Sequence, residues 1–98
     1  MFYETKDGPR GLAEDPLNTC IAPRPIAWIS TVSVDGIVNL APYSYFTRIA
    51  TSPPMVVFGS SRRGAGGAKD TITNCKETCE FVVNVVNWDL RSEMSQTS

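Results

Sequence analysis

Asp35-Gly36 sits between two runs of alternating apolar and polar character, Ile26 to Val34 and Ile37 to Ala41, and leaves the chain few local choices. An Asp-Gly pair flanked this way is a strong two-residue hairpin signal, because glycine readily takes the positive φ of a tight turn. The pleat then sends Ile26, Trp28 and Ser30 to one face and Ala27, Ile29 and Thr31 to the other. Directly after the hairpin, Asn39-Leu-Ala-Pro-Tyr-Ser44 reads as a small platform of backbone amides, a carboxamide and a hydroxyl. Such a platform suits a flat polar ring or a phosphate.

The rest of the chain supplies short elements around this hairpin. Asp15 is placed to cap a helix over Leu17 to Ile21, with Pro16 at its first position. Pro23 and Pro25 then force extended backbone. Tyr45 to Ser52 reads as a connector and Met55 to Gly59 as a buried strand. Ser60 to Ala68 is a glycine-rich loop. Asp70 to Thr78 follows as a helix with Ile72, Cys75 and then Cys79 on its inner stripe and Asp70 as its N-cap or first-turn acid. Glu80 to Val86 is a further strand, and Asn87 is placed to cap a last helix through Leu90 and Met94. About four strands with two or three helices, joined by a hairpin and longer connections, favour an antiparallel α+β or mainly β fold over a parallel one. Three short helices cover such strands poorly and leave a long edge. The expectation is therefore a chain that lacks a C-terminal part or finds its cover in a partner.

Bulk properties narrow the function classes. Ninety-eight residues make one small domain or a portion of a larger one. With 42% hydrophobic and 19% charged residues the composition is that of an ordinary globular protein. A formal net charge of -1 argues against nucleic acid, which demands a clear basic face. No run approaches the roughly 20 apolar residues of a membrane helix, and the first residues lack the order of a secretory signal. Three cysteines, Cys20, Cys75 and Cys79, form no disulfide framework, so a reducing cytoplasm is expected. With no histidine and no CxxC, Cys75 and Cys79 read as small apolar side chains rather than metal ligands.

A second candidate site runs through Ser60, Ser61, Arg62 and Arg63 to Lys69, Asp70 and Thr71, where a strand end, a glycine-rich loop and a helix start follow one another. Helix N-termini offer N–H donors and a positive dipole end to phosphate, and Arg and Lys add charge. The loop taken alone reads first as a solvated basic loop and an ordinary cap. Gly64-Ala-Gly-Gly-Ala-Lys69 is neither GxGxxG nor a Walker loop, which argues against nucleoside triphosphates. Ser30 and Thr31 admit both a half-wet strand and a ligand contact. Trp28 and Phe46 read as core, and Asn84, inside an apolar strand, calls for a hydrogen-bond partner. No catalytic triad and no carboxylate pair is evident, so no catalytic side chain is assigned. Binding groups without an acid or base suit a redox cofactor that carries its own chemistry.

Taken in order, Ala22-Pro-Arg-Pro-Ile-Ala-Trp-Ile-Ser-Thr31, Asp35-Gly36, Asn39-Leu-Ala-Pro-Tyr-Ser-Tyr-Phe46, Pro53-Pro-Met-Val-Val-Phe58, Lys69-Asp-Thr71 and Glu80-Phe-Val-Val-Asn84 resemble the flavin reductase-like family with the FMN-binding split-barrel fold. The resemblance runs from about Asp15 to the end. It implies an antiparallel Greek-key split barrel with short helices, incomplete here, with residues 1–98 as the N-terminal part of a single domain. It also implies a homodimer, FMN near the subunit interface, and passage of reducing equivalents between NAD(P)H, flavin and an acceptor. A non-catalytic flavin carrier and an inactive shortened copy are the alternatives. Carried over by position, Ser30, Thr31, Asn39, Leu40, Ala41, Pro42, Tyr43 and Ser44 would border the flavin ring and ribityl chain. Ser60, Ser61, Lys69, Asp70 and Thr71 would take the phosphate. Many relatives have arginine where Ala68 stands, and Arg62 or Arg63 would substitute for it.

Overall fold

The hairpin forms and runs further than its signals imply. In the computed structural model, which describes residues 4, 6, 16–61 and 67–98, strand β1 (Ala27–Val32) pairs antiparallel with β2 (Val38–Tyr43). Val32 lies opposite Val38, and Ala27 lies opposite Tyr43. The stretch expected as a separate platform is thus β2 itself up to Tyr43. Pro42, which has no N–H to give a ladder, is tolerated because β2 is an edge of its sheet. The turn also differs from the two-residue expectation. The Gly36 N–H donates to the Ser33 carbonyl at 2.9 Å, and the Ser33 N–H donates to the Ile37 carbonyl at 2.9 Å. Val34, Asp35 and Gly36 therefore make a three-residue loop whose last residue has φ 83°. That is a tight turn closed by a left-handed glycine.

Strand β5 (Val82–Asn84) lies antiparallel on the other side of β1, giving the order β2-β1-β5. It is shorter than the expected Glu80 to Val86, because Asn87 soon turns the chain away. The Asn87 side chain accepts the Leu90 N–H at 3.2 Å and caps a 3₁₀ turn, Trp88–Leu90, that continues into helix α3 (Arg91–Gln96). The alternation predicted for β1 holds: Ala27, Ile29 and Thr31 are buried, while Trp28 and Ser30 are only half-buried. Asn84 has the expected partners, donating to the Trp28 carbonyl and the Ser30 hydroxyl at 3.0 Å each. The Trp28 indole N–H donates to Thr97 Oγ1 at 2.9 Å, which ties the end of α3 to β1.

The expected connector Tyr45 to Ser52 is instead mostly a strand. Its aromatic and β-branched residues suit a pleat, and β3 (Tyr45–Thr51) pairs antiparallel with β4 (Pro54–Gly59) in a separate two-stranded ribbon. Ile49 is the extra residue of a bulge between Arg48 and Ala50. Between β2 and β3 only Ser44 intervenes. β4 is not the buried strand that its apolar run suggests, since Met55, Val56 and Val57 are exposed and only Phe58 turns inward. Ile21 to Pro25 borders the ribbon near Tyr45, where the Arg24 guanidinium stands 5.2 Å from the ring centroid, but leaves Met55, Val56 and Val57 exposed. The mainly β, antiparallel class with short helices is as expected, and the strands form two sheets rather than a closed barrel.

The core is correspondingly small. Ala27, Ile29 and Tyr43 are buried, with Ala41, Phe46, Phe58 and Val83 packed against them. Tyr43 meets Phe58 at a 5.2 Å centroid distance, and Phe58 meets Phe81 edge-on at 5.0 Å. These rings stitch the ribbon to the sheet, each pair adding roughly 0.5–1.5 kcal/mol beyond area burial.

Helix α1 spans Pro16–Cys20, close to expectation, while its proposed cap Asp15 lies outside the described residues. Helix α2 (Asp70–Thr78) has the predicted bounds but Lys69 as N-cap, with Asp70 in the first turn. Its inner stripe is not the predicted apolar one. Thr71 and Asn74 are buried, Ile72 and Cys75 are half-buried, and Cys79 is exposed at the C-cap with φ 58°. The helix is rotated by about one residue because polar groups on β1 and β2 bind its polar side.

Gly36→Ala should lower the melting temperature by roughly 4–8 °C, since a left-handed conformation costs an L-residue about 1 kcal/mol or more. No atom lies within 4 Å of the added Cβ, so the effect is conformational and not steric. Gly36→Asn should lose less, and differential scanning calorimetry of the three proteins reads both numbers.

Candidate functional site

Two polar contacts fix α2 on the hairpin. The Asn39 side-chain amide donates to Thr71 Oγ1 at 2.7 Å, and the Asn74 side-chain amide donates to Thr31 Oγ1 at 3.0 Å. Thr31, Thr71 and Asn74 are 3%, 1% and 6% exposed and Asn39 is half-buried, so the Asn74–Thr31 bond works away from water and the Asn39–Thr71 bond lies at its margin. Together they bring the start of α2 alongside β2.

The space they define is a cleft of ≈ 350 Å³ walled by Asn39 to Tyr43 on one side and by Lys69, Asp70 and Thr71 on the other, with Thr97 and Ser98 at its margin. The two stretches picked out separately in the sequence thus face one another. The Lys69 ammonium stands 5.5 Å from the centroid of the Tyr43 ring. Ring faces attract such a cation, which limits the wandering of a flexible side chain. The Lys69 carbonyl accepts the N–H groups of Ile72 and Thr73 at 2.9 and 3.1 Å, so the positive side chain and the positive end of the helix coincide. A cation at a helix N-terminus opposes the dipole. An anion placed there would relieve both positive ends, with Asp70 offsetting part of the charge meanwhile.

The other candidates divide. The Ser30 hydroxyl accepts from Asn84, the Thr31 hydroxyl accepts from Asn74, and both residues line a separate cavity beside Val82. Neither lines the cleft. Ser44 lines the adjoining cavity with Pro42, Met94 and Ser98, one step beyond the end of β2. The half-buried Ser60 donates its hydroxyl to the Ser61 carbonyl at 3.3 Å, and neither serine lines the cleft. Arg62 and Arg63 lie outside the described residues. Thr71 lines the cleft, but its side chain is spent on Asn39, which leaves its backbone as the part suited to a ligand. The sequence reading missed Thr97, Ser98 and Asn74. Asn74 follows Thr71 by three positions, a spacing visible as a polar stripe but not as hydrophobic periodicity.

The residues present fit a flavin mononucleotide. An ammonium beside a helix start matches its phosphate, and the outer edge of β2 offers a row of backbone polar groups to a ring bearing nitrogens and carbonyl oxygens. Among the described residues no group of three potential metal ligands occurs, and no helix is long and apolar enough to cross a membrane.

The model of the flavin reductase like domain matches residues 20–98. The chain belongs to the flavin reductase-like family. It is 43% identical over 74 residues to an uncharacterised protein of Aquifex aeolicus, covering 76% of this chain and 38% of that one. It is 37% identical over 82 residues to the uncharacterised protein YwrF of Bacillus subtilis, covering 84% and 40%. Among solved structures, nitrilotriacetate monooxygenase component B from Bacillus cereus superimposes with a TM-score of 0.80 at 33% identity, covering 99% of this chain and 48% of that one. Pseudomonas fluorescens 2-nitrobenzoate 2-nitroreductase NbaA gives 0.78 at 27% identity, covering 99% and 46%. The chain spans less than half the length of each of these relatives.

Burial pushes the Cys75 thiol of this flavin reductase-like chain above its ordinary value of 9.0. Its reactive thiolate is therefore scarcer than in a free thiol at any pH below that range, and rises only as the solution becomes more alkaline. At pH 8, iodoacetamide should label the exposed Cys20 and Cys79 before Cys75, as peptide mass spectrometry over time would show. Equal labelling of all three would contradict the half-buried placement of Cys75.

Proposed function

We propose that the chain binds FMN in the cleft between β2 and the start of α2, as the N-terminal part of a single split-barrel domain, and serves a flavin-dependent oxidoreductase. The observation that carries this reading is the convergence of Asn39 to Tyr43 and Lys69 to Thr71 on one cleft. Family membership supports it, as do the names of the two solved neighbours, a monooxygenase component and a nitroreductase.

Lys69 and the first N–H groups of α2 would hold the phosphate. The outward backbone edge of β2 would meet the ring, and the Tyr43 ring would keep Lys69 in place. Bound FMN supplies hydride acceptance from NAD(P)H and onward electron transfer. No side chain of the cleft is assigned an acid or base role; the chain binds, orients and holds charge. A homodimer is the proposed form, supported by the exposed apolar residues Ile49, Met55, Val56 and Val57 on the ribbon.

The test is flavin fluorescence quenching. The chain should quench FMN with micromolar or better affinity. Lys69→Ala should weaken FMN binding roughly tenfold or more, the worth of one charge-assisted bond, while affecting riboflavin, which lacks the phosphate, far less. An absence of quenching by folded protein would end the proposal. An equal loss for both flavins would move Lys69 away from the phosphate. NADH oxidation with an added acceptor then separates an oxidoreductase from a flavin carrier.

A further inference from the structure

Asn74 and Thr31 touch no part of the cleft, yet they are among the most buried polar side chains described and they bond each other at 3.0 Å. Both could be apolar at no cost to packing if holding α2 down were all that was required. A buried polar pair has a geometric demand that an apolar pair lacks, because a donor left without its acceptor is costly. Sliding or rotating α2 by one residue on the hairpin would orphan the Asn74 amide. An apolar contact would tolerate the same slip with little penalty. Asn74 stands one turn after Lys69 and Asp70, so the angle at which the helix meets the hairpin sets where the Lys69 ammonium and the first-turn N–H groups point. Thr78, a turn further on, donates its hydroxyl to the Asn74 carbonyl at 2.9 Å and steadies the same stripe.

We infer that Asn74 and Thr31 are a positioning pair: their bond fixes the rotational setting of α2 and so aims Lys69 and the helix start into the cleft. The inference rests on the cleft being the flavin site. Asn39–Thr71 is the second rung, but Asn39 lines the cleft, so the Asn74–Thr31 rung is the one that isolates positioning from contact.

Thr31→Val keeps the shape and removes the acceptor; Thr31→Ser restores it. Gly36→Ala, at the hairpin tip and outside the cleft lining, serves as a control for general destabilisation. Thr31→Val should weaken FMN binding roughly tenfold, the scale of one orphaned buried donor. Thr31→Ser should recover most of that loss. Gly36→Ala should lower the melting temperature by a comparable amount while leaving FMN affinity within about twofold, as expected for a site that shares no partner with the cleft. In the flavin-free protein, Thr31→Val should also speed exchange of the Ile72 and Thr73 amides relative to Gly36→Ala. Equal FMN affinity for Thr31→Val and Gly36→Ala, or no recovery with Thr31→Ser, would overturn the inference. If the unmutated chain fails to bind FMN, the flavin reading falls by itself, and the amide exchange then decides the positioning claim: unchanged exchange in Thr31→Val sinks it.

Discussion

A polar seam holds this molecule's working parts in register. Most helices in small proteins lie on a sheet through an apolar stripe; here α2 meets the hairpin through Asn39–Thr71 and Asn74–Thr31. Apolar contact is roughly proportional to area and indifferent to direction. Hydrogen bonds are directional, and in a dry seam they are demanding. The fold gives up some freedom of packing and obtains a fixed relation between two segments about thirty residues apart. The cleft exists because that relation is fixed.

The remainder of the structure is economical. Among the described residues only Ala27, Ile29 and Tyr43 form the buried apolar core, which is small. The aromatic run Tyr43–Phe58–Phe81 does much of the joining between the ribbon and the sheet. Tyr43 serves twice, with one face toward Phe58 and the Lys69 ammonium near its ring. Core and cleft thus share a residue, so damage to one is felt in the other.

Much of this was legible from residue order. Asp35-Gly36 announced the hairpin, the alternation of Ala27, Ile29 and Thr31 named the buried face, and Asn84 had the partners its setting demanded. Lys69-Asp70-Thr71 and Asn39 to Tyr43 were singled out separately and meet. What was not legible depended on long-range context. β3 was read as a connector because its pairing partner β4 is not implied by its own residues. β4 was read as buried because an apolar run says nothing about whether anything covers it. The α2 stripe was misread because hydrophobic period selects Ile72 and Cys75, whereas the partners waiting on β1 and β2 are hydroxyl and amide. Ser60 and Ser61 were grouped with the cleft by nearness in sequence, and the structure does not bring them to its walls.

The junction at Ser44 has a mechanical meaning. With β2 ending at Tyr43 and β3 starting at Tyr45, a single residue carries the chain from one sheet to the other. A link of that length has two soft torsions and little slack, and the contact of Phe58 with Tyr43 holds the ribbon against the sheet beside it. Load on the apolar side of the ribbon therefore reaches the tyrosine beside Lys69 by two routes, along the chain through Ser44 and across the rings through Phe58.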